Sequence, residues 1–473
     1  MGCCYRESPV PLIDPIPIAP PPEDAVNVLR IVLDDVGIEQ LRTYGLSTAA
    51  VPMPNVEALA RRGVAFARAY SYPICSPDRM CQRTGRFGFH TGIVALVENG
   101  AGAPPENEIF LPRVLELNAP QIESALIGKW HLSNYMNKDW EHPIRVGFDY
   151  WAGTLRNLER GADNYFNYEH HVARKLERGE FHEKTRSRVY ATTRQVDDAI
   201  AWINARTGQW YMELAFNAPH FPLHRPPTDL YDTSLYSLAN SEPIGAEAKR
   251  PYFKAMLQAI DTELGRLFRS IDSNVLANTV ILVVGDNGTA GQVYDNTITG
   301  FTNAHAKGTV YEQATRVPLI VAGPLVDRPG RVDTTSLICA VDMFATELSL
   351  LSVGTTGPTY AGALDSVSFY TNIANASANS PRAYYFTETA APNGRNLNAS
   401  TPGNRGIGNA SYKLVRTATG TTFPDAGDEF YQLSTDPWET TNLTPAGSTA
   451  GLNATQLSNY NTLKSSYLTL IAS

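Results

Sequence analysis

Two pairs of oxygen-bearing side chains follow apolar runs that have the composition of buried strands. Asp34 and Asp35 come directly after the run 28–33, and Asp286 and Asn287 come after a second run of the same kind. Carboxylate and amide oxygens are hard ligands, which suit Ca²⁺ or Mg²⁺ better than a soft metal. Either pair alone is explained equally well as the cap of a following helix or turn. Together the two pairs predict a divalent-metal site.

Two further strand-like runs also end in side chains that can do chemistry. Residues 122–128 lead into Lys129 and His131, and residues 209–216 lead into the segment that contains His220. In open α/β sheets, ligand sites lie beyond the carboxyl ends of the strands. Four strand ends with charged or metal-seeking residues therefore predict one shared site.

Helical patterns alternate with these strands along the chain. Apolar side chains at helical spacing predict helices at 54–62, 192–204 and about 251–271. Further strands are expected at 64–70, 279–284 and 317–322. This alternation favours an α/β fold with a large mixed, mostly parallel sheet sandwiched by helices.

The composition changes in the last part of the chain, where Asn, Ser, Thr, Ala and Gly dominate. The expected elements there are strands at 383–388, 411–416 and 429–433 and a helix at 455–471. They predict a smaller C-terminal α+β domain with an antiparallel sheet. We place a catalytic domain at 26–360 and the smaller domain at 361–473.

Composition also limits the class of function. The chain has 473 residues, of which 43% are hydrophobic and 18% are charged, which is enough apolar material for a sizeable core. With 47 acidic and 39 basic residues the formal net charge is −8, which argues against a nucleic-acid partner. No apolar run reaches the roughly 18 residues of a membrane span, so we predict no transmembrane segment.

The five cysteines form neither a disulfide scaffold nor a zinc-binding pattern, so any cysteine chemistry must belong to a single residue. Cys3 and Cys4 precede a proline-rich stretch, and we treat residues 1–25 as a leader or tether. This start is similar to that of a bacterial lipoprotein whose signal segment has been removed, which favours a periplasmic or extracellular location. A cytoplasmic protein with a proline-rich tail explains the same residues equally well.

Residues 75–86 read C-S-P-D-R-M-C-Q-R-T-G-R and contain a Cys-x-Pro-x-Arg sequence. With this segment the chain resembles the type I sulfatases of the alkaline phosphatase superfamily. In that family a formylglycine-generating enzyme recognises the motif and oxidises its cysteine to formylglycine. A buried structural cysteine beside a proline turn is the alternative, but the closing T-G-R favours the family.

Other segments of that family follow in the same order, over about residues 27–445. They are Asp34-Asp35-x-Gly37, Met53-Pro54-Asn55, Gly128-Lys129-Trp130-His131, Ala218-Pro219-His220-x-Pro222, Asp286-Asn287-Gly288 and Lys307-Gly308 with Arg316-Val317-Pro318. Each motif is short, but the ordered set is specific. The resemblance implies the alkaline phosphatase-like fold.

The resemblance also implies roles for individual residues. The implied catalytic residues are Cys75, Arg79, Lys129, His131, His220 and Lys307. The implied metal ligands are Asp34, Asp35, Cys75, Asp286 and Asn287. The expected cofactors are Ca²⁺, with Mg²⁺ or Mn²⁺ as alternatives, and formylglycine made from Cys75.

These roles are chemically consistent with hydrolysis of a sulfate ester. Residue 75, as a hydrated aldehyde, supplies the hydroxyl that attacks sulfur, while Arg79, Lys129 and Lys307 hold the anionic oxygens. An imidazole at His220 can protonate the leaving oxygen near neutral pH. His131 contacts a hydroxyl of the diol and helps it to collapse to the aldehyde.

The predicted function is therefore a sulfuric ester hydrolase, similar to the arylsulfatases, that acts on a small-molecule or carbohydrate sulfate ester. One alternative is a phosphonate monoester or phosphodiester hydrolase of the same superfamily. Another is a non-catalytic relative that binds sulfated glycans.

Two parts of the sequence depart from the family or add to it. Asp78 occupies a position where the family commonly has serine, and residues 80–83 replace small apolar side chains. We hypothesise that Asp78 and Arg83 form a local pair or line the pocket. The stretch 150–190 is rich in Tyr, Asn, His and Arg, and either shapes the leaving-group pocket or forms a solvated insertion.

Overall fold

The structure is a computed structural model. It describes residues 26–98, 102–159, 161, 163–176, 179–354, 364–390, 393, 403–417, 423 and 425–472. The predicted leader at 1–25 and the predicted domain boundary near 360 lie outside the described residues. Within the described residues, no helix combines the length and the hydrophobicity that a membrane span requires.

An eleven-stranded sheet organises the larger part of the chain. Its strands are β1 Asn27–Leu33, β2 Gly63–Tyr70, β3 Glu123–Lys129, β4 Tyr150–Thr154, β5 Tyr168–Lys175, β6 Glu180–Ser187, β7 Trp210–Ala215, β8 Thr279–Gly285, β9 Arg316–Ala322, β10 Arg331–Asp333 and β11 Ile338–Cys339. They lie in the order β10-β2-β9-β8-β1-β7-β3-β4-β5-β6, and β11 pairs with β2.

The centre of this sheet is parallel. β8, β1, β7, β3 and β4 are successive parallel neighbours, whereas β9 runs antiparallel to β2 and β8, and β5 and β6 add an antiparallel edge. The predicted α/β fold with a mixed, mostly parallel sheet is confirmed.

The described residues form twelve α-helices, and those outside the C-terminal part cover both faces of the large sheet. They are α1 Pro54–Arg61, α2 Cys75–Thr84, α3 Gly88–Thr91, α4 Leu111–Asn118, α5 His142–Arg145, α6 Ala191–Asn204, α7 Ala246–Ser270, α8 Ser273–Ala277, α9 Glu312–Thr315, α10 Asp342–Leu350, α11 Tyr370–Ala374 and α12 Ala454–Ala472. The central strand β1 is buried on both faces, with Leu29 and Ile31 in one apolar core and Val28 and Val32 in the other.

A second sheet of four antiparallel strands follows, as predicted for the C-terminal part. Its order is β12 Tyr385–Ala390, β13 Gly403–Gly408, β14 Lys413–Arg416 and β15 Glu429–Tyr431. Tyr460 and Leu463 of α12 pack with Leu414 and Phe430 of the sheet in one core. Strand β13 is not predicted from the sequence, because its residues, G-N-R-G-I-G, include three glycines and few β-branched or aromatic side chains.

Two predicted segments differ in detail from the structure. The stretch 150–190 is not a solvated insertion, since it contributes β4, β5 and β6 to the large sheet and only β6 is mostly exposed. Helix α7 begins before Pro251, the predicted start, because Gly245 with φ 83° ends the preceding loop.

Candidate active site

Four adjacent strands carry the predicted site residues to one edge of the sheet. β8, β1, β7 and β3 are parallel neighbours in this order, so their carboxyl ends meet there. Asp286, Asp34 and Lys129 stand at or just beyond three of these ends, and β7 leads through a short loop to His220. The topology therefore brings together residues that are up to 252 positions apart in the sequence.

Cys75 is the first residue of helix α2, which follows β2 after a short loop. Its sulfur lies 3.4 Å from Asp34 Oδ1, 4.0 Å from Asp35 Oδ1 and 3.7 Å from Lys307 Nζ. The backbone N–H groups of the first helical turn add partial positive charge beside the sulfur. Cys75, the predicted nucleophile, thus lies among the other predicted site residues.

Among the described residues, four potential metal ligands lie together: Asp34, Asp35, Cys75 and His220. Their ligand atoms all lie within 4.8 Å of one another. Asn287 joins them through its Nδ2, which donates to Asp35 Oδ1 at 2.8 Å. The Asn287 Oδ1 atom is buried and has no hydrogen-bond partner among the described residues. A buried, unpaired amide oxygen beside carboxylates fits a hard divalent cation such as Ca²⁺.

Asp286 lies slightly apart from that group. Its Oδ2 accepts hydrogen bonds from Arg79 Nε at 3.2 Å and Nη2 at 2.9 Å, and its Oδ1 accepts one from the Asp35 backbone N–H at 3.0 Å. The carboxylate therefore holds both the guanidinium of α2 and the loop after β1.

Three cationic side chains balance the three carboxylates of the site. Lys129 Nζ forms an ion pair with Asp34, and Lys307 Nζ forms one with Asp35. Arg79 pairs with Asp286 and lies 3.5 Å from Asp34 Oδ2. A divalent ion would give this buried site a net positive charge, which favours binding of an anion.

Burial and these charges set the pKa values of the site. Burial alone would raise the pKa of Asp34, but Lys129, His220 and Arg79 hold it below its usual range. Burial and the neighbouring Asp34 raise the pKa of Asp286. Burial, together with Asp286 and Asp34, raises the pKa of Cys75 well above its usual value.

His131 and His220 follow β3 and β7, which are neighbouring strands. His220 Nδ1 lies 2.8 Å from the Phe221 carbonyl oxygen, which favours a proton on Nδ1 in the neutral ring, and Nε2 lies 3.9 Å from Asp35 Oδ2. Burial lowers the pKa of His220. The Tyr165 hydroxyl lies 2.8 Å from the His220 carbonyl oxygen, so the stretch 150–190 supports this loop.

Asp35 and His131 have left-handed backbone conformations, with φ of 66° and 61°, which residues other than glycine rarely adopt. Left-handed conformations of this kind are unfavourable by about 1–2 kcal/mol for residues with a Cβ. Both residues are fully buried, and the Ser76 hydroxyl donates to the His131 carbonyl oxygen at 2.9 Å. Such strain persists where the surroundings determine the geometry, which supports a functional role for both positions.

The hypothesis of a local pair between Asp78 and Arg83 is wrong. Asp78 accepts hydrogen bonds from Gln82 Nε2 and, at 3.1 Å, from the backbone N–H of Tyr72. Arg83 instead forms an ion pair with Glu213. Residues five apart lie on different faces of a helix, so Asp78 and Arg83 point to different surroundings, and neither reaches an open pocket because both are buried.

Comparison with known proteins agrees with this geometry. A family model described as Sulfatase matches residues 26–353. The chain belongs to the sulfatase family. Human N-acetylgalactosamine-6-sulfatase is 27% identical over 348 residues, which is 68% of this chain and 62% of the relative. The chain thus spans less than two thirds of the length of that curated relative.

Solved sulfatase structures share the fold. A putative sulfatase, yidJ from Bacteroides fragilis, superposes with a TM-score of 0.72 at 18% identity, covering 94% of this chain and 96% of its own. BT4656, solved in complex with its substrate D-glucosamine-2-N,6-O-disulfate, gives a TM-score of 0.67 at 18% identity, with coverages of 94% and 97%. The chain therefore has the alkaline phosphatase-like architecture expected of its family.

The sequence motifs did not indicate one set of buried charged residues, which is linked to α2 by Arg83. Arg30 of β1, Glu213 of β7 and Glu347 of α10 are fully buried and linked to each other by ion pairs. The signal was present, since Arg30 and Glu213 each interrupt an otherwise apolar strand.

Proposed function

We propose that this protein is a metal-dependent sulfatase that hydrolyses sulfate monoesters with a formylglycine made from Cys75. The observation that carries the proposal is the position of Cys75 at the start of α2, within 4.0 Å of Asp34, Asp35 and Lys307. This arrangement combines a nucleophile position, a hard-ligand set and cationic side chains in one buried site.

The metal is the first part of the proposal. Asp34, Asp35, Asp286, Asn287 and residue 75 would hold Ca²⁺, with Mg²⁺ or Mn²⁺ as alternatives. When bound, the ion supplies positive charge that attracts the sulfate group and polarises its oxygens. The unpaired Oδ1 atom of buried Asn287 supports this assignment.

The modification of Cys75 is the second part. Nucleophilic cysteines act as thiolates, and their pKa values are lowered by their surroundings. The surroundings of Cys75 act in the opposite direction, since burial and two carboxylates raise its pKa. Burial and the carboxylates thus do not activate a thiol here, whereas formylglycine supplies a hydrated aldehyde with a reactive hydroxyl. Maturation then requires a formylglycine-generating enzyme.

The cationic side chains bind the substrate. Lys129, Lys307 and Arg79 lie around the nucleophile position, and each contacts a carboxylate of the site. Their charges can hold the three sulfate oxygens and stabilise the charge that develops on them as the ester bond breaks. Because the carboxylates fix these cations in advance, little reorganisation is needed at the moment of reaction.

The two histidines move protons. His220 is 18% exposed at its side chain, so its Nε2 can reach a leaving oxygen at the open side of the site and donate a proton to it. His131 is buried, and burial with Lys129 and Arg79 lowers its pKa well below the usual value. A neutral imidazole there can accept a proton from a hydroxyl at residue 75.

The proposed substrate is a sulfate ester of a carbohydrate or of another small molecule. One relative is named for a sulfated amino sugar, and one structural neighbour was solved with D-glucosamine-2-N,6-O-disulfate. These resemblances favour a carbohydrate sulfate.

Two measurements test the proposal. The first is the mass of the tryptic peptide 69–79 from protein made with a formylglycine-generating enzyme, where we expect the cysteine side chain CH₂SH to have become the aldehyde CHO, with loss of sulfur and hydrogen and gain of one oxygen. The second is turnover of matched aryl sulfate and aryl phosphonate esters, where we expect the sulfate to react faster. A retained thiol in active protein, or a much faster phosphonate reaction, would overturn the proposal.

A further inference from the structure

A buried ion network lies directly below the candidate site. It consists of Arg83 of α2, Glu213 of β7, Arg30 of β1 and Glu347 of α10, whose side chains are at most 1% exposed. Arg83 Nε donates to Glu213 Oε2 at 3.0 Å, and Nη2 pairs with Oε1, so the guanidinium binds the carboxylate through two atoms. Arg30 then links Glu213 to Glu347, which accepts from Arg30 Nη1 at 3.0 Å. The network ties α2 to two central strands of the sheet.

Arg83 also contacts the strand end that carries two of the proposed catalytic residues. Its Nη1 donates to the Trp130 carbonyl oxygen at 3.1 Å, and its guanidinium lies 4.6 Å from the centre of the Trp130 ring. One turn earlier on the same helix face, Arg79 Nη1 donates to the Lys129 carbonyl oxygen at 3.1 Å. Two arginines of α2 therefore hold two consecutive carbonyl groups after β3.

These contacts join the two segments whose relative position the reaction depends on. Helix α2 carries residue 75 at its start, and the segment held by Arg79 and Arg83 carries Lys129 and His131. Arg79 also pairs with carboxylates of the site, whereas Arg83 binds Glu213 and the Trp130 carbonyl oxygen. A displacement of about 1 Å at reacting groups reduces rates by about 10²-fold, so a fixed contact between these segments matters for turnover.

We propose that Arg83, held by Glu213, is a positioning residue that keeps the nucleophile at residue 75 aligned with Lys129 and His131. The inference rests on the proposed function. Arg83 is buried and binds the buried Glu213, so we assign it no contact with the substrate.

The simpler explanation is that the network only contributes to stability. Replacing both members of a buried ion pair with neutral residues of similar shape is often neutral for stability, whereas removing one member is strongly destabilising. The two explanations therefore separate in a double variant, Arg83→Met with Glu213→Gln. This change leaves Arg30 paired with Glu347, so the remaining charges stay balanced.

The matched control is a second buried ion pair, between β14 of the small sheet and the residue that precedes β15. Arg416 of β14 contacts Asp428 through Nη1 at 2.9 Å to each carboxylate oxygen. The control variant is Arg416→Met with Asp428→Asn. For the parent and both variants we would measure the thermal midpoint, the formylglycine fraction of peptide 69–79, and kcat and KM for an aryl sulfate, with kcat normalised to that fraction.

We expect the double variant at Arg83 and Glu213 to lose kcat by about 10- to 100-fold, with a much smaller change in KM and a thermal midpoint close to that of the parent. The control at Arg416 and Asp428 should keep the normalised kcat of the parent. A normalised kcat equal to that of the parent in the first double variant would overturn the proposal.

A single substitution keeps the test decisive if the double variant does not fold. Arg83→Lys preserves the charge, but an ammonium group cannot bind Glu213 through two atoms and also reach the Trp130 carbonyl oxygen. We expect a folded protein with a normalised kcat lowered by about 10-fold. An unchanged kcat in Arg83→Lys would contradict the positioning role.

Turnover by the parent protein separates this inference from the proposed function. If the parent hydrolyses only the aryl phosphonate ester, the sulfatase proposal fails, and the same comparison of variant and parent on that ester still tests Arg83. If the parent hydrolyses the sulfate and the variants match it, only the positioning role fails.

Discussion

Cys75 illustrates how single residues in this site acquire their properties from their neighbours. Its sulfur is buried and lies 3.4 Å from an aspartate oxygen, and both features raise the pKa of the thiol although Lys307 is only 3.7 Å away. The same aspartate is kept ionised by Lys129, His220 and Arg79. The surroundings thus suit a bound cation and a neutral hydroxyl nucleophile better than a thiolate.

Replacement of His220 by Asn tests its proposed role as the proton donor. Loss of a general acid affects poor leaving groups most, because a good leaving group departs without a proton. We expect kcat for an alkyl sulfate to fall by about 10²-fold or more, and kcat for a nitrophenyl sulfate to fall much less. Steady-state kinetics on both esters provide the measurement, and an equal loss on both would contradict the role.

At the scale of secondary structure, the predicted site residues lie at the ends of β8, β1, β7 and β3. Helix α2 begins with Cys75, the proposed nucleophile, next to these strand ends. The ion network of Arg83, Glu213, Arg30 and Glu347 lies where α2 packs against the sheet, so this contact is charged rather than apolar. Its two glutamates differ, since Arg30 and Arg83 lower the pKa of Glu213 to about 2 despite burial, whereas burial raises the pKa of Glu347 to about 7.

This difference predicts a pH dependence of stability that arises from Glu347. In the folded state its pKa is raised from 4.5 to about 7, so the folded protein binds this proton more tightly than the unfolded chain. Its contribution to stability is fully present below pH 4.5 and is lost as the pH rises to about 7. Within this window the free energy of unfolding should fall by up to about 1.4 kcal/mol per pH unit from this group.

The Glu347→Gln variant isolates that contribution. We would measure the free energy of unfolding by urea denaturation from about pH 5 to about pH 8, a range that includes the shifted pKa of Glu347. We expect this free energy to fall less steeply with pH in Glu347→Gln than in the parent. Asp261 and Glu439 also have raised pKa values, of about 6 and about 7, and remain in both proteins. Parallel curves for variant and parent would show that Glu347 does not titrate in this range.

At the scale of the whole molecule, the small sheet supports the segment that carries Lys307. Glu312, five residues after Lys307, begins α9, and its backbone N–H donates to Glu439 Oε2 at 2.6 Å. Lys413 of β14 lies between the two glutamates, 3.1 Å from Glu312 Oε1 and 2.9 Å from Glu439 Oε1. The second sheet is therefore part of the scaffold of the site.

Replacement of Lys413 by Met tests this support. The change leaves Glu312 and Glu439 close together and buried without their cation, so we expect a loss of about 3–5 kcal/mol in the free energy of unfolding. A second substitution, Glu439→Gln, removes one of the two charges and should restore part of the loss. Denaturant unfolding of the single and double variants measures both effects, and equal stability of Lys413→Met and parent would contradict the coupling.

Removal of the metal should affect activity and stability together. Because the proposed ligands come from three separate segments of the folded chain, an ion that binds only the folded state stabilises it by about 2.7 kcal/mol at 100 times its dissociation constant. We expect a chelator to abolish hydrolysis and lower the thermal midpoint, and added Ca²⁺ to restore both. Full activity after exhaustive chelation would remove the metal from the mechanism.

Local patterns predicted much of the fold and the composition of the site. Apolar runs such as 279–284 and helical spacing identified most central elements, because burial on both faces demands continuous apolar strands. Motif order indicated which residues belong to one site. The glycine-rich strand β13 was missed because its pairing is set by neighbouring strands rather than by its own side chains.

Residue types and their positions after strands therefore identified the chemistry, since a strand end is a local feature of the chain. Only the tertiary structure decided the partners of Asp78 and Arg83, because ion pairs depend on which strands become neighbours. Arg83 and Glu213 are 130 positions apart, and no local pattern connects them. Arg83 therefore does not pair with Asp78, as expected from the sequence, but belongs to an ion network that links α2 to the centre of the sheet.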